Sequence, residues 1–166
     1  MNLLILFLRR VKYLLAITAL ISACGKPPLI TSPKPHISPD TTIGVKGKVI
    51  FKEGNFNSKG EIKDNGRMVL VQRELLIYPR ISQKEVDFAE GNFIKNIYAE
   101  PLDCIMSNDQ GEFKIPLVPG KYTFVVKENE RLFAKLSSDG FVFPVTVGIG
   151  QLVEVVVEID YMAQYH

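Results

Sequence analysis

The sequence predicts an all-β protein: an antiparallel β-sandwich of about seven strands, preceded by a signal-peptide helix and a proline-rich tether. Three observations predict it. From Ile43 onward, apolar and polar residues alternate with period two. Glycine, proline, asparagine and aspartate punctuate those runs at short intervals. No stretch past residue 42 keeps a helical period for ten residues.

The chain opens on the leader, residues 1–23. Its segment 13–23, YLLAITALISA, is an apolar run behind Arg9, Arg10 and Lys12. A basic region, a short apolar stretch and small residues at its end are the parts of a secretory signal. The run is too short for a spanning helix, which needs about 20 apolar residues. Extending it back over LLILFL would put three cations inside the span, each costing roughly 2.5–3.5 kcal/mol near its centre. Ile21-Ser22-Ala23-Cys24 closes the run and resembles the bacterial lipobox. The resemblance implies cleavage before Cys24, a diacylglyceryl thioether on its sulfur, and N-acylation with a chain such as palmitate. Several acyl chains, at about 0.8 kcal/mol per buried methylene, make a firm membrane anchor. Cys24 is therefore the expected lipid-attachment residue. Gly25 follows it, without the aspartate or acidic cluster that sorting rules read. Attachment to the outer membrane is expected, and the sequence leaves open whether the protein faces the periplasm or the cell surface.

Residues 24–42 form the lipidated cysteine and its linker, with five prolines between 25 and 42. Proline-rich chain stays extended at about 3.1 Å per residue, which suits a spacer. His36 lies here with no second metal-binding side chain beside it.

Residues 43–166 are the expected domain. In IGVKGKVIF, Ile43, Val45, Val49 and Phe51 share one face, and Lys46 and Lys48 take the other. Residues 53–66 read as a polar loop with three glycines. RMVLVQRELLIYP returns to strand, with Val69, Val71, Leu75 and Ile77 in one register and Pro79 as its stop. Segment 80–100 is the least regular, with room for one helical turn before Gly91; Phe88, Phe93 and Tyr98 are expected to cover an edge of the core. Leu102, Cys104 and Met106 form a short strand that buries an inert thiol. SNDQGE is a turn; Phe113, Ile115 and Leu117 alternate inward. Val118-Pro119-Gly120-Lys121 reads as a type II turn, after which Tyr122, Phe124 and Val126 alternate inward. These three strands read as an antiparallel meander. A brief strand is expected at 132–136. FVFPVTVGIG and LVEVVVEID finish the sheet, with Val153, Val155, Val157 and Ile159 on one side and Glu154, Glu158 and Asp160 on the other.

The block SNDQGEFKIPLVPGKYTFVV resembles the carboxypeptidase regulatory-like domain, through Asp109, Gly111, Phe113, Leu117, Pro119, Gly120 and Tyr122. The opening Gly44-Val45-Lys46-Gly47-Lys48-Val49 is similar to that family's first strand. The resemblance implies an immunoglobulin-like or transthyretin-like sandwich over 43–166 that serves as a stalk, adaptor or accessory module. The whole chain also resembles lipoproteins of Bacteroidota-type bacteria, including an IDY-x-A-x-Y ending. The long insertion between the second and third strands departs from the family, so no pocket or partner site carries over.

Charge and side-chain inventory narrow the function. Arg9, Arg10 and Lys12 are the only charged residues before Cys24; removing them from 20 basic residues leaves 17 against 18 acidic, a net charge of −1. That gives no bulk attraction for nucleic acid. The two histidines, His36 and His166, lie outside the strands, so no histidine-assisted nucleophile is expected. Cys104 is the one thiol left after lipidation, which excludes an intramolecular disulfide. Glu53, Glu61, Asp64, Asp109 and Asp139 sit in or beside loops, and a converging pair would be needed for calcium binding or acid–base work. No catalytic residue, cofactor or metal site is expected. The leading expectation is a non-catalytic interaction, adaptor or structural module in the cell envelope, with another envelope protein as partner. The alternative is a small-ligand or glycan binder using loops 53–66 and 80–100, where Tyr78, Phe88, Phe93 and Tyr98 are the stacking candidates.

Overall fold

A computed structural model describes residues 43–166 as an all-β sandwich. The expected signal peptide, the expected lipid-attachment residue Cys24, and the expected tether with His36 lie outside the described residues.

Eleven strands build two sheets among the described residues. They are β1 (Gly44–Phe56), β2 (Arg67–Leu70), β3 (Glu74–Pro79), β4 (Val86–Phe88), β5 (Phe93–Ile97), β6 (Asp103–Met106), β7 (Glu112–Ile115), β8 (Gly120–Glu128), β9 (Arg131–Phe133), β10 (Pro144–Val147) and β11 (Leu152–Tyr165). The smaller sheet runs β11-β1-β2, with β7 also on β1. The larger runs β4-β5-β9-β8-β3-β6, with β10 also on β8. A 3₁₀ turn at Gln83–Glu85 is the helical turn expected before Gly91. The strand count exceeds the expected seven because segment 80–100 holds two short strands and one long expected strand is two.

Every pairing is antiparallel except one. β1 and β11, the first and last strands, lie parallel from Gly44↔Leu152 to Phe56↔Tyr165, with a bulge between Phe51 and Glu53. Parallel neighbours need a long connection, and here the connection is the rest of the domain.

The period-two pattern of β1 and β11 holds. Val45, Val49, Val157 and Ile159 point between the sheets, where they meet Leu75, Ile77, Phe113, Tyr122, Phe124 and Val126. β8 is buried on both faces. Its alternate residues, Thr123 and Val125, support a second core on the far side of the larger sheet, with Tyr78, Ile81, Val86, Ile94, Ala134 and Val142. Residues 80–100 and 134–143 cover that outer face. Of the three aromatics expected to cover an edge of the core, Phe88 packs here, Phe93 joins the core between the sheets, and Tyr98 is exposed.

Four expectations need correction. RMVLVQRELLIYP is not one strand: β2 pairs β1 in the smaller sheet and is exposed throughout, and β3 pairs β8 in the larger. Nor are β6, β7 and β8 a meander: β7 pairs β1, and β6 pairs β3. The two turns between them carry the chain from one sheet to the other and back. Cys104 is exposed, not buried. Its partner across the ladder is Leu76, while Ile105 opposes the fully buried Leu75. One residue of phase exchanges the two faces of a strand, so Asp103 and Ile105 turn inward and Leu102, Cys104 and Met106 outward. Finally, Gly120 is not among the positive-φ glycines, so the type II assignment fails. It opens β8 against the Tyr122 ring, where a Cβ would sit 3.0 Å from the hydroxyl. That hydroxyl donates to the Val118 carbonyl at 2.7 Å, a tyrosine corner that pins the turn back onto its strand.

The SNDQGE turn forms as expected. Asn108 Oδ1 accepts from the Gln110 and Glu112 amides, and Gly111 takes φ +69°. A Cβ there would lie 2.6 Å from the Val49 carbonyl, so both conformation and space demand glycine.

Candidate functional site

At one end of the sandwich, β9, the start of β5 and the end of β11 frame an open cleft of about 520 Å³. Phe93, Phe133, Tyr161 and Tyr165 line it together with Glu90, Gly91, Asn92, Arg131 and Asp160. Each group is placed by a local feature of the chain.

The floor is an aromatic cluster. Tyr161 lies 5.0 Å from Phe93, 5.5 Å from Phe51 and 6.0 Å from Phe133, measured between ring centres, and Phe93 meets Phe133 edge-on at 5.3 Å. Such offset and edge arrangements add to plain burial. Tyr161 keeps 38% exposure and Tyr165 keeps 45%. The bulge in the β1–β11 register falls at Asp160 and Tyr161, which oppose the single residue Lys52, and bulges re-aim side chains at strand ends.

Beneath the floor sits a buried charge. Glu128 is 2% exposed. It accepts from Arg73 Nε at 2.5 Å and Nη2 at 3.3 Å, from the Asn129 amide, and from the Tyr161 hydroxyl at 3.2 Å. The forked pair fixes Tyr161 by its tip. Burial first, and the Glu128 carboxylate second, push the Tyr161 phenol above its ordinary value. The next two residues, Asn129 and Glu130, turn β8 into β9 with φ of +49° and +64°. Two left-handed residues in a two-residue hairpin match a type I′ turn, in which asparagine is favoured first and glycine second. Glu130 takes the glycine place, so strain sits beside the cleft.

That hairpin presents Arg131. Its guanidinium lies 3.5 Å from the centre of the Phe93 ring, the stacking geometry of a cation on an aromatic face. On the opposite wall Asp160 is held by Lys135 at 2.6 Å and by the Tyr165 hydroxyl at 3.1 Å. Lys135 also reaches Glu158 at 3.0 Å, and Glu158 takes Lys52 at 2.6 Å. Burial raises the Glu158 carboxyl, but hydrogen bonds and charge from Lys52 and Lys135 outweigh it and hold the group below its ordinary value. Burial likewise lowers Lys135, and its two carboxylates outweigh that and raise it.

Of the stacking candidates named from the sequence, only Phe93 reaches the cleft. Tyr78 is buried in the second core, Phe88 is half-buried beside it, and Tyr98 is 63% exposed with its hydroxyl on Asp87. Loop 53–66 contributes only indirectly: Phe56 is fully buried and tilts against Tyr165 at 5.8 Å. Of the loop carboxylates, Glu53 pairs with Arg67 and Glu61 accepts from the Asn57 side-chain amide. Among the described residues no group of three or more His, Cys, Asp or Glu is placed to hold a metal ion. His166 ends the chain with its amide on the Phe56 carbonyl. Sequence reading missed Arg131, Phe133, Tyr161 and Tyr165. The aromatic spacing of the last strand was the available signal, but nothing local says that β5, β9 and β11 meet.

No protein-family model, curated protein or solved structure matches this chain.

Proposed function

We propose that the chain is a non-catalytic lipoprotein of the bacterial cell envelope, anchored through Cys24, whose sandwich is an interaction or adaptor module held off the membrane by residues 24–42. The observation that carries this reading is the join of Ile21-Ser22-Ala23-Cys24 to a proline-rich segment directly ahead of a β-sandwich. Among the described residues no helix is long and apolar enough to cross a membrane. The resemblance to carboxypeptidase regulatory-like domains supports an accessory role with another envelope protein as partner, and Gly25, with no aspartate or acidic cluster after Cys24, supports attachment to the outer membrane.

Expression in a bacterial host with an alkynyl palmitate tests this. The wild-type chain is expected in the membrane fraction, labelled, and cleaved before residue 24. Cys24→Ser is expected to lose label and cleavage together. An uncut chain with a bare thiol would overturn the anchor.

The aromatic cleft favours a second reading, that the module binds a small ligand or glycan. This moves the expected site from loops 53–66 and 80–100 to the junction of β5, β9 and β11.

A further inference from the structure

We infer that the cleft takes an acidic saccharide, its ring carried on Tyr161 and Tyr165 and its carboxylate held by Arg131. This rests on the reading of the cleft as a ligand site. Charge pairing is the main argument. Arg73 is held by Glu128, Lys52 by Glu158, and Lys135 by Glu158 and Asp160. Arg131 differs: it stacks on Phe93, and no side chain or carbonyl among the described residues accepts from its guanidinium. Stacking occupies the face of a guanidinium and leaves its five in-plane donors free, in the fork that matches a carboxylate. The cleft therefore presents one unanswered cation on a surface it has already oriented.

The other walls decide what carries the carboxylate. Among the described residues, the side chains of Glu90 and Asn92 line the same space with no hydrogen-bond partner of their own, and Asp160 adds a third polar group. These suit hydroxyl groups, which donate to carboxylates and exchange bonds with an amide. A purely apolar acid would leave them unanswered. The half-exposed tyrosine rings suit the C–H face of a sugar. A volume of about 520 Å³ falls within the ordinary range of ligand pockets and suits one or two sugar rings.

The test titrates the full-length chain in detergent with digalacturonate, cellobiouronate and sialyllactose, each beside its methyl ester, which keeps the ring and removes the charge. N-acetyltyrosine serves as a non-sugar acid. Calorimetry reads affinity, and amide resonances of Phe93, Tyr161 and Tyr165 locate it. At least one acid is expected to bind in the cleft, with its ester at least about tenfold weaker, as for loss of one charge-assisted pair. Arg131→Gln is expected to abolish the difference between acid and ester, and Arg131→Lys to keep part of it. The acid–ester comparison needs no variant, so a misfolded variant leaves the test intact. Esters that bind as well as acids would overturn the acidic inference and leave the cleft reading standing. N-acetyltyrosine binding tighter than every acidic sugar would overturn the saccharide class alone. No shift at the cleft resonances with any probe at about 10 mM, an affinity floor near 3 kcal/mol, would remove both.

Discussion

Thr123 is fully buried in β8, and its hydroxyl serves two backbone groups at once. It donates to the Val142 carbonyl at 2.7 Å and accepts from the Ile81 amide at 3.0 Å. The second core is thereby stitched to the larger sheet by one oxygen atom. Thr123→Val keeps the shape and strands both groups away from water, so a loss of about 1–3 kcal/mol is expected. Thr123→Ser should recover most of it. Chemical denaturation checks this, and a Val variant as stable as wild type would show that the stitch carries no net stability. The sequence spells threonine in an apolar strand but not its partners, since both come from segments that lack a pattern of their own. Cys104 marks the same limit from the other side. Leu102, Cys104 and Met106 and their neighbours Asp103 and Ile105 offer two phases of comparable polarity, and only the pairing with β3 chooses between them.

At the scale of elements, β11 is tied to the larger sheet by charge as well as by apolar contact. Lys135, just past β9, reaches Glu158 and Asp160 on β11, and Lys52 on β1 closes the chain of ions from the other side. The two pKa shifts set the pH window. Glu158 lies below its ordinary 4.5 in the folded chain. The unfolded chain therefore binds its proton first, and the stabilisation is present above 4.5 and lost as pH falls through the folded value. Lys135 lies above its ordinary 10.5. Its contribution is complete below 10.5 and lost as pH rises through the folded value. The urea midpoint of the wild type is thus expected to fall steeply in acid, below about pH 4.5, with the network intact at neutral pH. Lys135→Met should flatten that acid limb by removing a cation that favours the charged carboxylate. An unchanged limb would mean that other carboxylates set it. Strand pattern was most legible where one face is solvated and the other buried, as in β1 and β11. It failed at β2 and β3, where a single alternating run hides a change of sheet at Val71–Arg73, because period two survives a crossing that adds no turn signal.

The molecule as a whole closes by laying its last strand beside its first. Sequence fixes such a partnership only through the matching of two apolar faces, which is why the fold class was readable but the parallel pairing was not. The turns that read as meander corners are crossings between sheets for the same reason: proline and glycine mark where the chain bends, not which neighbour it bends toward. The cleft inherits this limit, since it exists only once β5, β9 and β11 converge. Closure has a kinetic consequence. Pairing Gly44 with Leu152 joins residues from opposite ends of the domain, and contacts that distant in sequence are made at a high entropic cost and slowly. The β8–β9 hairpin is local, with only Asn129 and Glu130 between its paired ends. A folding order follows, in which the hairpin is present at the barrier and the β1–β11 seam forms after it. Val157→Ala removes two methyl groups from the buried seam opposite Val49 and is expected to cost about 2 kcal/mol. If the seam closes late, that loss appears almost wholly as faster unfolding, roughly 30-fold, with refolding nearly unchanged. Val126→Ala, in the hairpin, should instead slow refolding. Stopped-flow chevrons of the two variants separate the cases, and a Val157→Ala chain that refolds as slowly as the hairpin variant would place the seam in the nucleus and reverse the order.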